Sequence, residues 1–202
     1  MKKYNILLPL LFLWACLLPA LTVSVGDGTS HNDLTGYPAV YGGYYNNARE
    51  QYLIESTELV VGGGGPGNIT SLSFNVFDPN LCGALPNFTI RMGHTAATAL
   101  GVDFITGLMQ VYSVSSYQPH PGLNTHVFDT PFLWDGTSSV VVEVTFDFQS
   151  AYTQNASIYY TPTTGIKALY FRSDTIGWAG ATTGSQSYNR PNLQFEMAAG
   201  GR

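Results

Sequence analysis

Residues 140–148 read VVVEVTFDF, and this stretch decides the fold. Val140, Val142, Val144, Phe146 and Phe148 fall on one face at period two, while Val141, Glu143, Thr145 and Asp147 fall on the other. Side chains alternate between the two faces of a strand, so the pattern predicts a strand packed on one side and wet on the other. On that reading Val142, Val144 and Phe146 are buried, and Glu143 and Thr145 face solvent.

The same signature recurs on both sides of this stretch. Residues 69–77 predict a strand with Ile69, Leu72, Phe74 and Val76 inward, and residues 87–94 one with Phe88, Ile90 and Met92 inward. Shorter runs at 51–61, 108–114, 126–132, 157–161, 168–172 and 192–197 bring the total to about nine. After the N-terminus no run of ten or more residues carries helical apolar spacing. The expected architecture is all-β, an antiparallel, jelly-roll-like β-sandwich.

Turn chemistry separates the runs. The stretch GGGGPG at residues 62–67 cannot be regular structure, and Asp135-Gly136 is a tight-turn dipeptide. Asp-Gly-Thr-Ser occurs at residues 27–30 and again at 135–138 with no wider similarity, which reads as turn chemistry rather than a repeat. Pro131 removes a ladder donor and is expected to end its strand. Gly93 permits a bulge or a close approach.

The N-terminus has the parts of a secretory signal. Lys2 and Lys3 precede an apolar run over residues 6–18, broken only by Pro9 and followed by Pro19, Ala20 and Thr22. That run is too short for a membrane span, so residues 1–22 are read as a cleaved signal peptide. A rival reading is a lipidation signal at Cys16, but Trp14 is bulky for such a motif and the apolar run continues past the cysteine. Residues 23–36 then form a polar leader, residues 37–197 the sandwich and residues 198–202 a tail. No second long apolar run occurs, so no transmembrane segment is expected in the mature chain.

Without the signal's two lysines, 6 Lys and Arg stand against 13 Asp and Glu, a formal charge of −7. That balance argues against a nucleic-acid partner, which needs a basic face. Removing Cys16 leaves Cys82 alone, which excludes a disulfide framework and a cysteine-based zinc site. Cys82 lies in a turn-rich run and reads as a half-buried structural thiol.

No pattern of catalytic residues appears. Glu143 and Asp147 share a strand face about 13 Å apart at strand rise, beyond the ~5–9.5 Å of glycoside hydrolysis. The four histidines show no metal-binding spacing, and His120 and His126 read as surface residues. There is no nucleophile elbow, and no phosphate loop follows residues 62–67. The expected cofactor set is therefore none. Calcium is the one ion such loops would suit, with Asp129 and Asp135 as the leading ligands and Asp27, Asp147 and Asp174 behind them.

In order along the chain come Tyr37-Pro38, Tyr44-Tyr45, GNITSLSF at 67–74, FTIRMGHT at 88–95, FDTPFLWDG at 128–136 and YNRPNLQF at 188–195. Their order and spacing resemble a β-sandwich domain of secreted and cell-surface proteins of Bacteroidota, often associated with type IX secretion. The resemblance spans about residues 37–196. It implies a sandwich fold and an extracellular or cell-surface address, and it brings no settled activity. Asp174-Thr175-Ile176 also resembles the Asp-Thr-apolar O-glycosylation motif of that bacterial group, which makes Thr175 a modification candidate.

The aromatics carry the binding expectation. Tyr41, Tyr44, Tyr45, Trp134, Trp178 and Tyr188, with Tyr37 beside them, lie in or near predicted loops. Aromatic faces near Asn and Asp are how carbohydrate modules hold sugar rings, although tyrosines also fill sandwich cores. The expected function is a non-catalytic module for adhesion or ligand binding, with a glycan or a surface protein as partner. The alternative is a structural subunit of a surface layer or filament, assembled through β-strand contacts, with residues 23–33 free for strand donation.

Overall fold

The computed structural model describes residues 20–149 and 153–198. The signal-peptide and tail readings fall almost wholly outside them. In chain order the elements are β1 (Leu21–Val25), β2 (Ser30–His31), β3 (Asn47–Ile54), α1 (Ser56–Val61), β4 (Gly67–Asp78), β5 (Leu85–Thr95), β6 (Met109–Tyr117), β7 (Gly122–Trp134), β8 (Ser139–Phe146), β9 (Ser157–Pro162), β10 (Ala168–Ser173), β11 (Ser185–Ser187), β12 (Asn189–Pro191) and β13 (Leu193–Met197). A 3₁₀ turn covers Trp178–Gly180.

Two antiparallel sheets pack face to face as a β-sandwich. The six-stranded sheet runs β11-β10-β3-β8-β5-β6. In the seven-stranded sheet β4 is central, pairing with β7, β13 and β9, while β1 pairs with β13, and β2 and β12 with β9. The core between the sheets holds the residues that alternation put there. Ile69, Leu72, Phe74 and Val76 from β4, Phe88, Ile90 and Met92 from β5, and Val140, Val142, Val144 and Phe146 from β8 are all buried in one cluster. Ile69 and Leu72 both point inward despite their odd spacing, because the β4–β7 register shifts between Ile69 and Ser71.

The other face of β8 is not wet. Val141, Glu143 and Thr145 are buried too. Segments around residues 97–108 and 176–184 lie over this face and form a second cluster, with Leu100, Phe104 and Ala181 packed against Leu53, Val141 and Leu169. Phe104 N donates to Thr182 O (3.0 Å) and Leu100 N to Ile166 O (2.8 Å), which ties the cover together. Phe148 lies beyond the end of β8 and is exposed.

Three local readings change. Residues 51–61 are not one strand: β3 ends at Ile54, and Glu58 Oε2 accepts a bond from Glu55 N (2.9 Å), opening α1 with a Glu-x-x-Glu capping arrangement. Pro131 does not end its strand. Ile69 pairs with Phe132 and Ser71 with Val127, so Pro131 sits in a bulged stretch of β7 that lacks β4 partners. The leader is not free: β1 pairs with β13 over five residues and buries Val23 and Val25, and β2 pairs with β9. Strand donation by this segment would require β1 to leave β13. Gly93 does allow a close approach, since a Cβ there would lie 2.5 Å from Leu108 Cδ2.

Candidate functional site

Alternation that buries one face of the seven-stranded sheet turns a second set of side chains outward. With Phe74 and Val76 inward, β4 presents Ser73, Asn75 and Phe77. By the same rule β7 presents Leu123, β9 Tyr159, β13 Gln194 and β1 Ser24. His31 of β2 joins them, and together they line a groove of about 560 Å³, a volume in the usual range for ligand sites.

One wall of the groove is a pinned loop. Thr161 Oγ1 accepts bonds from Asp27 N (2.9 Å) and Gly28 N (2.7 Å) and donates to Asn192 Oδ1 (2.7 Å). Asn192 Nδ2 donates to Gly28 O (2.8 Å), closing the network. Position 28 must be glycine, because a Cβ there would lie 2.0 Å from Tyr160 O. The second Asp-Gly-Thr-Ser copy does a different job. Asp135 Oδ1 accepts bonds from Thr137 N and Ser138 N (both 2.8 Å) and Oδ2 one from Ser138 Oγ (2.6 Å), making the turn from β7 to β8.

The groove is amphipathic. His31 stacks on Phe77 (centroids 4.1 Å, planes at 11°), and Tyr159 stands edge-on to Phe77 at 5.6 Å. Phe77 is 49% exposed and Leu123 46%. Beside these rings stand the Ser73 hydroxyl, which bonds Thr125 Oγ1 (2.8 Å), the Asn75 amide, and the Gln194 amide, whose Nε2 donates to Ser24 Oγ (3.3 Å). His31 Nδ1 lies 3.2 Å from Asn32 O. A carbonyl can only accept, so Nδ1 carries the proton, and Nε2 of the neutral ring is an acceptor. Asp27 is the one carboxylate among the described lining residues.

The aromatic candidates are dispersed. Tyr41 and Trp134 are fully buried core residues, not ligand contacts. Tyr41 Oη lies 2.8 Å from His126 Nε2, and Trp134 Nε1 donates to Ser138 O (2.8 Å). Both rings belong to the main core cluster, Trp134 as the last residue of β7. Tyr45 packs edge-on against Tyr44 (5.3 Å) and Tyr37 (5.9 Å). Trp178 is half-buried, with Nε1 donating to Asp147 Oδ1 (2.8 Å) and the Arg91 guanidinium 5.0 Å above its ring. Tyr188 is exposed just before β12. None of the six lines the groove. The outward side of β4 was legible in the alternation, and Phe77 stands at its outward end. His31 and Tyr159 reach the groove only through pairings that sequence spacing does not reveal.

Among the described residues no group of three or more His, Cys, Asp or Glu could hold a metal. Asp129 Oδ2 accepts a bond from Ser113 N (3.0 Å), and Asp135 serves its turn. Asp147 also accepts from Asn87 Nδ2 (2.8 Å), and Asp174 Oδ1 from Asn46 N (3.0 Å). Thr175 is exposed in the turn after β10. His126 is not a surface residue: it is buried among Tyr41, Phe74, Phe88, Tyr112 and Tyr117, and burial pushes its pKa down to about 3. Glu143 is buried too, beside Arg49 and Arg91. Burial raises the Cys82 thiol to about 11, which makes it a structural thiol. No protein-family model matches the chain, and no curated protein matches it.

Proposed function

We propose that this chain is a non-catalytic extracellular β-sandwich module for adhesion, binding a carbohydrate in the groove on the outer face of the seven-stranded sheet. The carrying observation is the groove's surface, where the His31, Phe77 and Tyr159 rings stand beside the hydroxyl and amide groups of Ser73, Asn75 and Gln194. A sugar ring needs both, an apolar face for its C–H groups and paired donors and acceptors for its hydroxyls. The single carboxylate, Asp27, supports binding rather than hydrolysis, which uses two. The signal-like N-terminus supports the extracellular address.

A glycan array of the full chain, followed by calorimetry on the best ligand, tests this. His31→Ala and Phe77→Ala should each weaken binding by about tenfold, the equivalent of roughly 1.4 kcal/mol. Tyr44→Ala and Trp178→Ala lie off the groove and should leave binding unchanged. Loss in the second pair with retention in the first would move the site elsewhere.

A further inference from the structure

A second cavity lies at the edge of the other sheet. Strand β10 pairs with β3 along its whole length, but β11 covers it only from Ala168 to Tyr170. Past Tyr170 the edge is open, and a cavity of about 420 Å³ sits there, lined by Tyr45, Tyr170, Arg172, Thr183 and Ser185 among others. Neither cavity shares a lining residue with the other.

Arg172 is the unusual member. The described residues include five Lys and Arg side chains. Arg49 and Arg91 pair with Glu143, Lys167 with Glu55 and Arg190 with Glu58. Arg172 forms no ion pair with a described residue. Its guanidinium carbon instead lies 5.2, 5.0 and 5.2 Å from the ring centroids of Tyr37, Tyr45 and Tyr170. The cage is itself fixed: Tyr37 stacks with Tyr170 at 5.8 Å, and its hydroxyl donates to Gly42 O (2.9 Å). Cation–π contacts hold a guanidinium in place without neutralising it. Its Nε is buried with no hydrogen-bond partner. The buried Glu50 carboxyl on β3 takes its hydrogen bonds from Ala39 N (3.0 and 3.2 Å) and the Tyr52 hydroxyl, and Arg172 acts on it only as a charge through space, without an ion-pair contact.

We propose that Arg172 and its tyrosine cage bind the carboxylate of an acidic saccharide, a uronate-type sugar, in this cavity. A planar guanidinium matches a carboxylate bidentately. One positive charge suits a monoanion better than a phosphate monoester, which carries about −1.5 to −2 at neutral pH. The Tyr45 and Tyr170 rings flank the guanidinium where the sugar ring would sit, and the exposed Thr183 and Ser185 hydroxyls stand at the rim.

The test is calorimetry and amide chemical-shift mapping of the full chain with glucuronate, glucose and sulfate. Glucuronate should bind saturably and shift Tyr45, Tyr170 and Gly184, and glucose should bind at least tenfold more weakly. Arg172→Gln should lose at least tenfold of the glucuronate affinity, while Val127→Ala, at an exposed position outside both cavities, keeps it. Should Arg172→Gln fail to fold, Ser185→Glu decides, since it puts a like charge at the cavity rim outside the cage and should also abolish binding. Preferential binding of sulfate, equal binding of glucose, or glucuronate binding that survives in a folded Arg172→Gln and in Ser185→Glu would each overturn the assignment.

Discussion

Arg49 Nε donates to Glu143 Oε2 across 2.7 Å on the outer face of the β3–β8 pair, where the Glu143 side chain is only 3% exposed. Gln51 Nε2 donates to the same oxygen (2.8 Å), and Arg91 Nη1 on β5 lies 3.4 Å from Oε1. Arg49 also reaches upward, bonding Ala181 O (2.8 Å) under the Phe104 ring. One carboxylate thus joins three strands to the loops above them. Removing one member of a buried pair leaves the other charged and alone, at a cost of about 3–5 kcal/mol. Glu143→Ala should show that loss in urea melts. Arg49→Met with Glu143→Leu should be markedly milder than Glu143→Ala alone. A loss under about 1 kcal/mol in the single variant would mean that the pair is solvated.

Phe146 and Thr145 test the two faces of β8 separately. Phe146 is buried in the main core, so Phe146→Ala should cost about 3–5 kcal/mol. Thr145 is buried on the opposite face, and its Oγ1 accepts a bond from Arg91 Nη1 (3.0 Å). Thr145→Ala should therefore cost about 1–3 kcal/mol, where a wet face would give about 0.5 or less. A neutral Thr145→Ala in chemical denaturation would restore the solvated reading of that face.

The inner core was legible because a strand's period is a property of the chain itself. Val140, Val142, Val144 and Phe146 announce their common face whatever packs on it. The outer cover was not, because it comes from irregular segments such as the one bearing Phe104, which have no period to read. Glu143 and Thr145 looked wet because a polar residue on a strand usually is, and their partners on β3 and β5 lie about 50 residues or more away in sequence. The groove has the same limit. Phe77 follows from the alternation of β4, but His31 and Tyr159 depend on the pairing of β2 with β9.

Cys82 should be inert in the folded chain. Its thiol is buried, contacts Tyr41 O at 3.5 Å, and is held up near 11 by burial. The thiolate is the reactive species, and it is scarce at pH 8 with such a pKa. A thiol reagent should label Cys82 no faster than the protein opens, and at once in denaturant. Rapid labelling of the native chain would show that the turn around residues 79–83 is open to solvent.

Two buried groups should set opposite pH slopes on stability. Burial raises the Glu50 carboxyl from 4.5 to about 7, and it lowers His126 from 6.5 to about 3. Between 4.5 and 7 the folded chain holds a proton on Glu50 that the unfolded chain has lost, so stability falls as pH rises, by about 1.4 kcal/mol per unit. Between 6.5 and 3 the unfolded chain holds a proton on His126 that the folded chain refuses, so stability falls as pH drops, by about the same slope. The windows overlap from 4.5 to 6.5, where the two slopes oppose each other and the parent chain should show a plateau. Single variants should uncover each slope. Glu50→Gln should lose roughly 2–3 kcal/mol on going from pH 6.5 to 4.5, and His126→Phe should gain a similar amount over the same step. Below pH 4.5 the parent should weaken through His126, joined by Glu58, which Arg190 holds below its ordinary value against the pull of burial, and by Asp135, held low by its bonds from Ser138 and Thr137. The weakening should therefore be shallower, not absent, in His126→Phe. Urea melts at half-unit pH intervals measure all three curves. A parent chain that slopes steeply across the overlap, or a Glu50→Gln curve parallel to the parent, would show that these two groups do not balance.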